Sequence, residues 1–224
     1  MKKYMFISAI ALSSATIVTT TTQSCATVAG TSIGLSVIKN ILLAGIDKGL
    51  GIFSDKNSFL GNALIEAALP NQLKEINTTL EKIGLGNLVQ KEKEYIAEAA
   101  AFTVNISRPI LENAVNNMTT EDAVKIAEGG RGAATQLLRA KTESQLIAAI
   151  TPKVDAKLNE YGIVKTINTA LNTQKLLGSL LGDSGASATS GISHLASQQM
   201  VKGLFYIIEN YETTDKNNPL NILK

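Results

Sequence analysis

The chain of 224 residues is predicted to fold as an all-α protein: a single multi-helix globular bundle behind a cleaved N-terminal signal peptide. Three observations predict this. Apolar residues make up 45% of the chain but aromatics only 4%, with no Trp. The core must therefore be built from Leu, Ile, Val and Ala, a composition that suits helices packed on helices better than a β-sandwich. Apolar positions recur at spacings of three and four along most of the sequence, and no persuasive alternating segment or internal repeat interrupts them. Gly, Pro and Asn clusters cut the pattern into helix-length pieces.

The first piece is not part of the bundle. Met1-Lys2-Lys3 is a short positive start, Tyr4 to Val18 is apolar, and a threonine run leads into Gln23-Ser24-Cys25. This is the pattern of a secretory signal, too short to span a bilayer comfortably. Residues 1–24 read as a lipoprotein-type signal peptide. Cys25, the only cysteine, is the expected site of lipid attachment. Ser24 suits that processing, whereas Thr22 stands where a bulky aliphatic is usual. Cleavage near Thr27-Val28-Ala29, or retention of the segment as an uncleaved anchor, are the alternatives. Residues 25–32 read as a tether and residues 33–220 as the helical domain.

In that domain, Ile33, Val37, Ile41 and Ala44, with Ile38 and Leu42 beside them, predict a first helix to about Leu50, ended by Gly49 and Gly51. Gly45 and Gly49 give it a close-packing or membrane-facing surface. Phe53 to Asn62 reads as a turn-rich connection. Leu69-Pro70-Asn71 is a break, after which Leu73, Ile76, Leu80 and Ile83 form one helical stripe closed by Gly84-Leu85-Gly86. A long pattern runs from Leu88 through Tyr95, Ile96, Ala99 and Phe102, and Pro109 is expected to divide it from a helix carrying Ile110, Leu111, Ala114, Val115 and Met118.

Thr119 caps a short helix from about Thr120 to Glu128, with Glu121 and Asp122 facing the positive end of its dipole. Gly129-Gly130-Arg131-Gly132 closes it. A further helix begins near Ala133. Thr142-Glu143-Ser144-Gln145 has capping-box spacing for the next, and Thr151-Pro152 restarts one that ends at Tyr161-Gly162. Ile163 to Leu181 is helical again. Gly182 to Gly191 reads as a mobile loop, and the last helix spans about Ile192 to Tyr211.

Charge excludes one class of partner. The formal net charge is +2, but Lys2 and Lys3 leave with the signal peptide, which contains no acid. The 21 basic side chains less those two leave 19, against 19 acidic. A near-neutral chain without a basic stripe is not built for nucleic acid. With a single cysteine no intramolecular disulfide forms.

Candidate chemistry is sparse. His194 is the only histidine, so a Ser-His-Asp or Cys-His arrangement would have to pass through it. The cysteine and histidine counts rule out the paired metal motifs. Glu94 and Glu98 share a helix face, where a solvated pair is the ordinary reading and a catalytic dyad the sharper one. The most suggestive stretch is Glu128 to Thr135. Glycines running into a helix start leave backbone amides free, so Gly130, Arg131, Gly132 and Arg139, with Lys141 nearby, form a candidate anion-binding group. A plain helix-to-helix turn explains the same glycines. No catalytic residue, metal or cofactor is assigned.

The order of turns resembles a known family. Leu69-Pro70, Gly84-Leu85-Gly86, Met118-Thr119 with Asp122-Ala123, Gly129-Gly130 with Ala133-Ala134-Thr135, Arg139 with Lys141-Thr142, Pro152 and Lys202-Gly203-Leu204-Phe205-Tyr206-Ile207 are similar to the bacterial domain-of-unknown-function 4197 family over about residues 33 to 220. The resemblance implies an exported, lipid-anchored, all-helical envelope protein and brings no activity, substrate or catalytic residue. The chain departs from the family pattern at Arg131 and in the Gly182–Gly191 segment.

The expectation is a non-enzymatic, lipid-anchored binding or structural module of the bacterial cell envelope, on the periplasmic face of the outer membrane. Its partners would be the membrane, through the lipid, and an envelope protein or apolar ligand held between helices. An envelope hydrolase using carboxylates or Arg/Lys is the alternative.

Overall fold

Among the described residues, four long helices bury apolar stripes in one core, and shorter helices pack against them. The computed structural model describes residues 32–173, 188–214 and 216. Cys25, the signal segment, most of the tether and the chain from 174 to 187 lie outside the described residues, as does the end of the chain beyond 216. Among the described residues every regular element is a helix.

Helix α1 (Ser32–Ser54) buries Ile38, Leu42, Ile46, Leu50 and Phe53, a three-and-four spaced stripe that runs through Gly49 and Gly51 rather than ending there. Packing explains the difference. A Cβ on Gly49 would lie 2.5 Å from Leu204 Cδ1, and one on Gly45 3.2 Å from Ile208 Cγ2. The glycines bring this helix close against the last one, so the surface they form is an internal contact.

The predicted connection after Phe53 contains two short helices, α2 (Lys56–Leu60) and α3 (Ala63–Ala67). Its turn-forming residues are their caps: Asp55 Oδ1 accepts from Ser58 N at 2.7 Å, and Asn62 Oδ1 accepts from Leu64 N at 3.0 Å. Helix α4 (Asn71–Lys82) follows Pro70 and buries Leu73, Ile76 and Leu80 on α5.

Helix α5 (Gly86–Asn116) is continuous through Pro109. Proline frees the carbonyl four residues back, that of Asn105. Both Pro109 and Asn105 are exposed, so the lost bond lies on the solvent side of the helix. Helix α6 (Thr120–Gly129) starts at the expected cap, Thr119, and the cap is a full capping box, Thr119 Oγ1 accepting from Asp122 N and Asp122 Oδ2 from Thr119 N.

Helix α7 (Ala133–Glu160) is likewise unbroken by Thr142 or Pro152. Thr142 is buried with its hydroxyl donating to Leu138 O at 2.7 Å, so it caps nothing. Pro152 and Ala148, whose carbonyl it frees, are both exposed. Helix α8 (Ile163–Thr173) buries Val164, Ile167 and Leu171. Helix α9 (Ala188–Thr214) begins inside the segment expected to be loop.

Helix α5 packs on α7, α7 on α9, α9 on α1 and α1 on α5, which makes a four-helix ring. Helix α3 lies across α9, where Gly203 gives room: a Cβ there would meet the Ile65 backbone at 3.2 Å. No helix among the described residues is long and apolar enough to cross a membrane.

Candidate functional site

The inward stripe of α5 contains one residue of the wrong kind. Val89, Glu92, Ile96 and Ala99 step by three, four and three, and all four are buried. Glu92 is therefore an acid at a core position, with no exposed surface. Asn77 on α4, also buried, donates from Nδ2 to Glu92 Oε2 at 3.2 Å. Glu92 Oε1 has no hydrogen-bond partner.

Glu92 lines a cavity of about 200 Å³. Its walls are apolar where α2, α3 and α5 meet, with Phe59, Leu60, Ile65, Leu69 and Ile96. Phe59 is held edge-on against Phe53, with centroids 5.1 Å apart. Glu66 on α3 and Lys93 on α5 also line the cavity and pair with each other at 3.4 Å. Gln199 of α9 contributes another part of the wall, its amide donating to Ile65 O at 3.3 Å. Burial pushes the Glu92 carboxyl up to about 7, against the pull of the Asn77 amide and of Lys93, while Glu66 adds to the rise.

A second buried acid stands elsewhere, near the end of α9. Glu212 is 2% exposed and reaches the start of α7, where its two oxygens accept from Ala134 N at 3.1 Å and Thr135 N at 2.8 Å. Burial raises its carboxyl too, while the Thr135 and Ala134 groups pull it down. Gly132, with φ of 78°, lets Glu209 come close: a Cβ there would lie 2.6 Å from Glu209 Oε1.

This arrangement bears on the predicted anion group. Gly130, Arg131 and Gly132 do come together at the turn before α7, but the helix amides behind them already hold an anion, the carboxylate of Glu212. Arg131 Nη2 donates to Thr213 O at 3.1 Å. Arg139 lies further along α7 and binds Glu143 through Nε and Nη2, at 3.0 and 2.6 Å. Lys141 reaches Asp122 at 2.7 Å. The internal carboxylate occupies the place foreseen for an external one.

Residues 31–222 match the family model described as Protein of unknown function (DUF4197). The chain belongs to this family. No curated protein and no solved structure matches it.

The other residues singled out in this DUF4197 member have ordinary settings. Glu94 and Glu98 share a face, as their spacing requires, and both meet Lys56, at 3.6 and 2.8 Å. His194 is exposed on α9, its Nε2 3.1 Å from the Gln198 amide, beside a shallow groove that includes Ser144 and Ile147. Among the described residues no group of three or more His, Cys, Asp or Glu side chains is placed to hold a metal.

Sequence reasoning missed Glu92, although the signal was present. The pattern from Leu88 through Tyr95, Ile96, Ala99 and Phe102 mixes two faces, since Ile96 and Ala99 are buried while Phe102 is 47% exposed. Taking Val89 rather than Leu88 as the start, with Ile96 and Ala99, puts Glu92 inside.

Proposed function

We propose that this DUF4197 protein is a lipid-anchored binding module of the bacterial cell envelope, held through Cys25 and taking a small ligand between its helices. The anchor rests on the sequence: a signal-like start, an apolar run and a lone cysteine at its end. The binding role rests on one observation, the buried Glu92, with one carboxyl oxygen unpartnered, lining a cavity whose wall is part apolar and part polar. Leaving a buried acceptor unmade costs about 1–3 kcal/mol, and functional clefts are where such costs are retained. The hydrolase alternative has less support. Glu66, the second carboxylate at the cavity, is engaged with Lys93 and so is not free to share acid–base work with Glu92.

The test is native mass spectrometry of the protein extracted from membranes, together with metabolic lipid labelling. The expected result is a diacylglyceryl-modified N-terminus, absent in Cys25→Ser, and a retained small molecule. An unlipidated protein would refute the anchor, and a preparation that retains and captures no ligand would count against the binding role.

A further inference from the structure

We propose that the Glu92 cavity is a site for a small organic monocation, a primary ammonium group carrying a short apolar body. This rests on the reading of the cavity as a ligand site and names the ligand's chemistry.

Three features carry the inference. The first is orientation. Asn77 Nδ2 fixes one oxygen of Glu92, which leaves Oε1 held in place with lone pairs unused. A carboxylate is an acceptor only, so the missing partner is a donor.

The second is charge. The ionisable groups nearest Glu92 are Glu66 on α3 and Lys93 on α5 itself. These two neutralise each other at 3.4 Å. Asn77 from α4 and Gln199 from α9 are uncharged. When ionised, Glu92 thus leaves one negative charge unbalanced in a dry setting, where an isolated ion is costly and a paired one is tolerated. A donor that is also a cation meets both needs, whereas a hydroxyl meets only the first.

The third is shape. The space is about 200 Å³, and Phe59, Leu60, Ile65, Leu69 and Ile96 give one part of its wall while Gln90 joins the polar groups on the rest. The apolar part suits a short aliphatic or small-ring body, and the volume excludes a bulky one.

The proposal predicts proton linkage. Without a cation Glu92 shares its charge state between protonated and ionised forms near neutral pH, because burial lifts it to about 7. A bound ammonium selects the ionised form, so binding releases protons and tightens as pH rises. With affinity proportional to the ionised fraction, it increases about tenfold from about pH 6 to about pH 8. An alkylammonium stays charged throughout that range, so the change belongs to the protein.

The experiment is calorimetric titration of the full-length protein, purified from membranes in detergent, with butylammonium and separately with its neutral counterpart 1-butanol. It is run in buffers of different ionisation heat and at the two pH values. The expected result is butylammonium binding with net proton release, the pH dependence above, and loss of binding in Glu92→Gln with unchanged helicity by circular dichroism. The pH dependence is read on the wild-type protein, so the test stands even if the variant does not fold.

If 1-butanol binds as well as butylammonium, or binding is indifferent to pH, the cation assignment is wrong while the cavity remains a ligand site. If neither compound binds, the cation assignment falls; if native mass spectrometry also finds no retained molecule, the ligand-site reading falls with it.

Discussion

Glu92 and Glu212 are both buried glutamates on long helices, and they differ in what surrounds their oxygens. Glu212 accepts a backbone amide on each oxygen at the start of α7, where the helix dipole also favours negative charge. Glu92 accepts one side-chain amide and leaves the other oxygen without a partner, at the wall of a cavity. The first is part of the frame: it ties the end of α9 to α7 by groups that would otherwise be orphaned. The second is a group whose folded surroundings are incomplete, beside an empty volume. The contrast separates a buried acid whose bonds the frame completes from one whose bonds it leaves open.

The comparison can be broken most severely at Glu212. Replacement by Ala leaves two buried helix amides unpaired and is expected to cost about 3 to 5 kcal/mol, measured by chemical denaturation. A loss below about 1 kcal/mol would mean that the amides find other partners and that Glu212 is not structural.

Glu92→Gln should act in the opposite sense above neutral pH. A folded-state value raised from 4.5 to about 7 means the folded protein holds more protons than the unfolded chain between those values. The stability this contributes is fully present below about 4.5 and is lost as pH rises through about 7. The loss is about 3 kcal/mol by about pH 8, and the Gln variant, which carries no such proton, should escape it. Denaturation curves of the two proteins across this range would show wild type falling and the variant level in this respect. Burial also raises Glu212, which adds a decline of the same sign in both proteins and cancels in their difference.

The smallest effect is expected at Arg131→Ala. Its exposed bond to the Thr213 carbonyl is worth about 0.5 kcal/mol or less, and its removal should leave Glu212 in place. A loss comparable to that of Glu212→Ala would show the arginine to be part of the same charge arrangement.

Local signals in the sequence were easy to read, and signals that depend on distant partners were not. The box of Thr119 and Asp122 closes within one turn, so its residue types alone announce the start of α6. Pro70 and the Gly84-Leu85-Gly86 turn bound α4 for similarly local reasons. Pro109 and Pro152 do not end their helices, and the exposure of Asn105 and Ala148, whose carbonyls they free, is a tertiary fact the local sequence does not carry. Thr142 had the spacing of a cap but is buried and bonded to the preceding turn.

The candidate anion site shows the same limit. Free amides at the start of α7 were legible, but their occupant lies 77 and 78 residues along the chain. Glu92 was within reach, because a single acid on an otherwise apolar three-and-four stripe is visible without coordinates. A pattern that joins Leu88 and the exposed Phe102 to Ile96 and Ala99 spans two faces of the helix, and that breadth hides it.

The most direct test of the difference between the two acids is carbon NMR of the glutamate carboxyl groups, with the Glu92 signal assigned by its loss in Glu92→Gln. The account predicts that this carbon titrates near neutrality in the unliganded protein and shifts to lower pH when butylammonium is added. A Glu92 carboxyl that titrates with the exposed glutamates, indifferent to the amine, would contradict it.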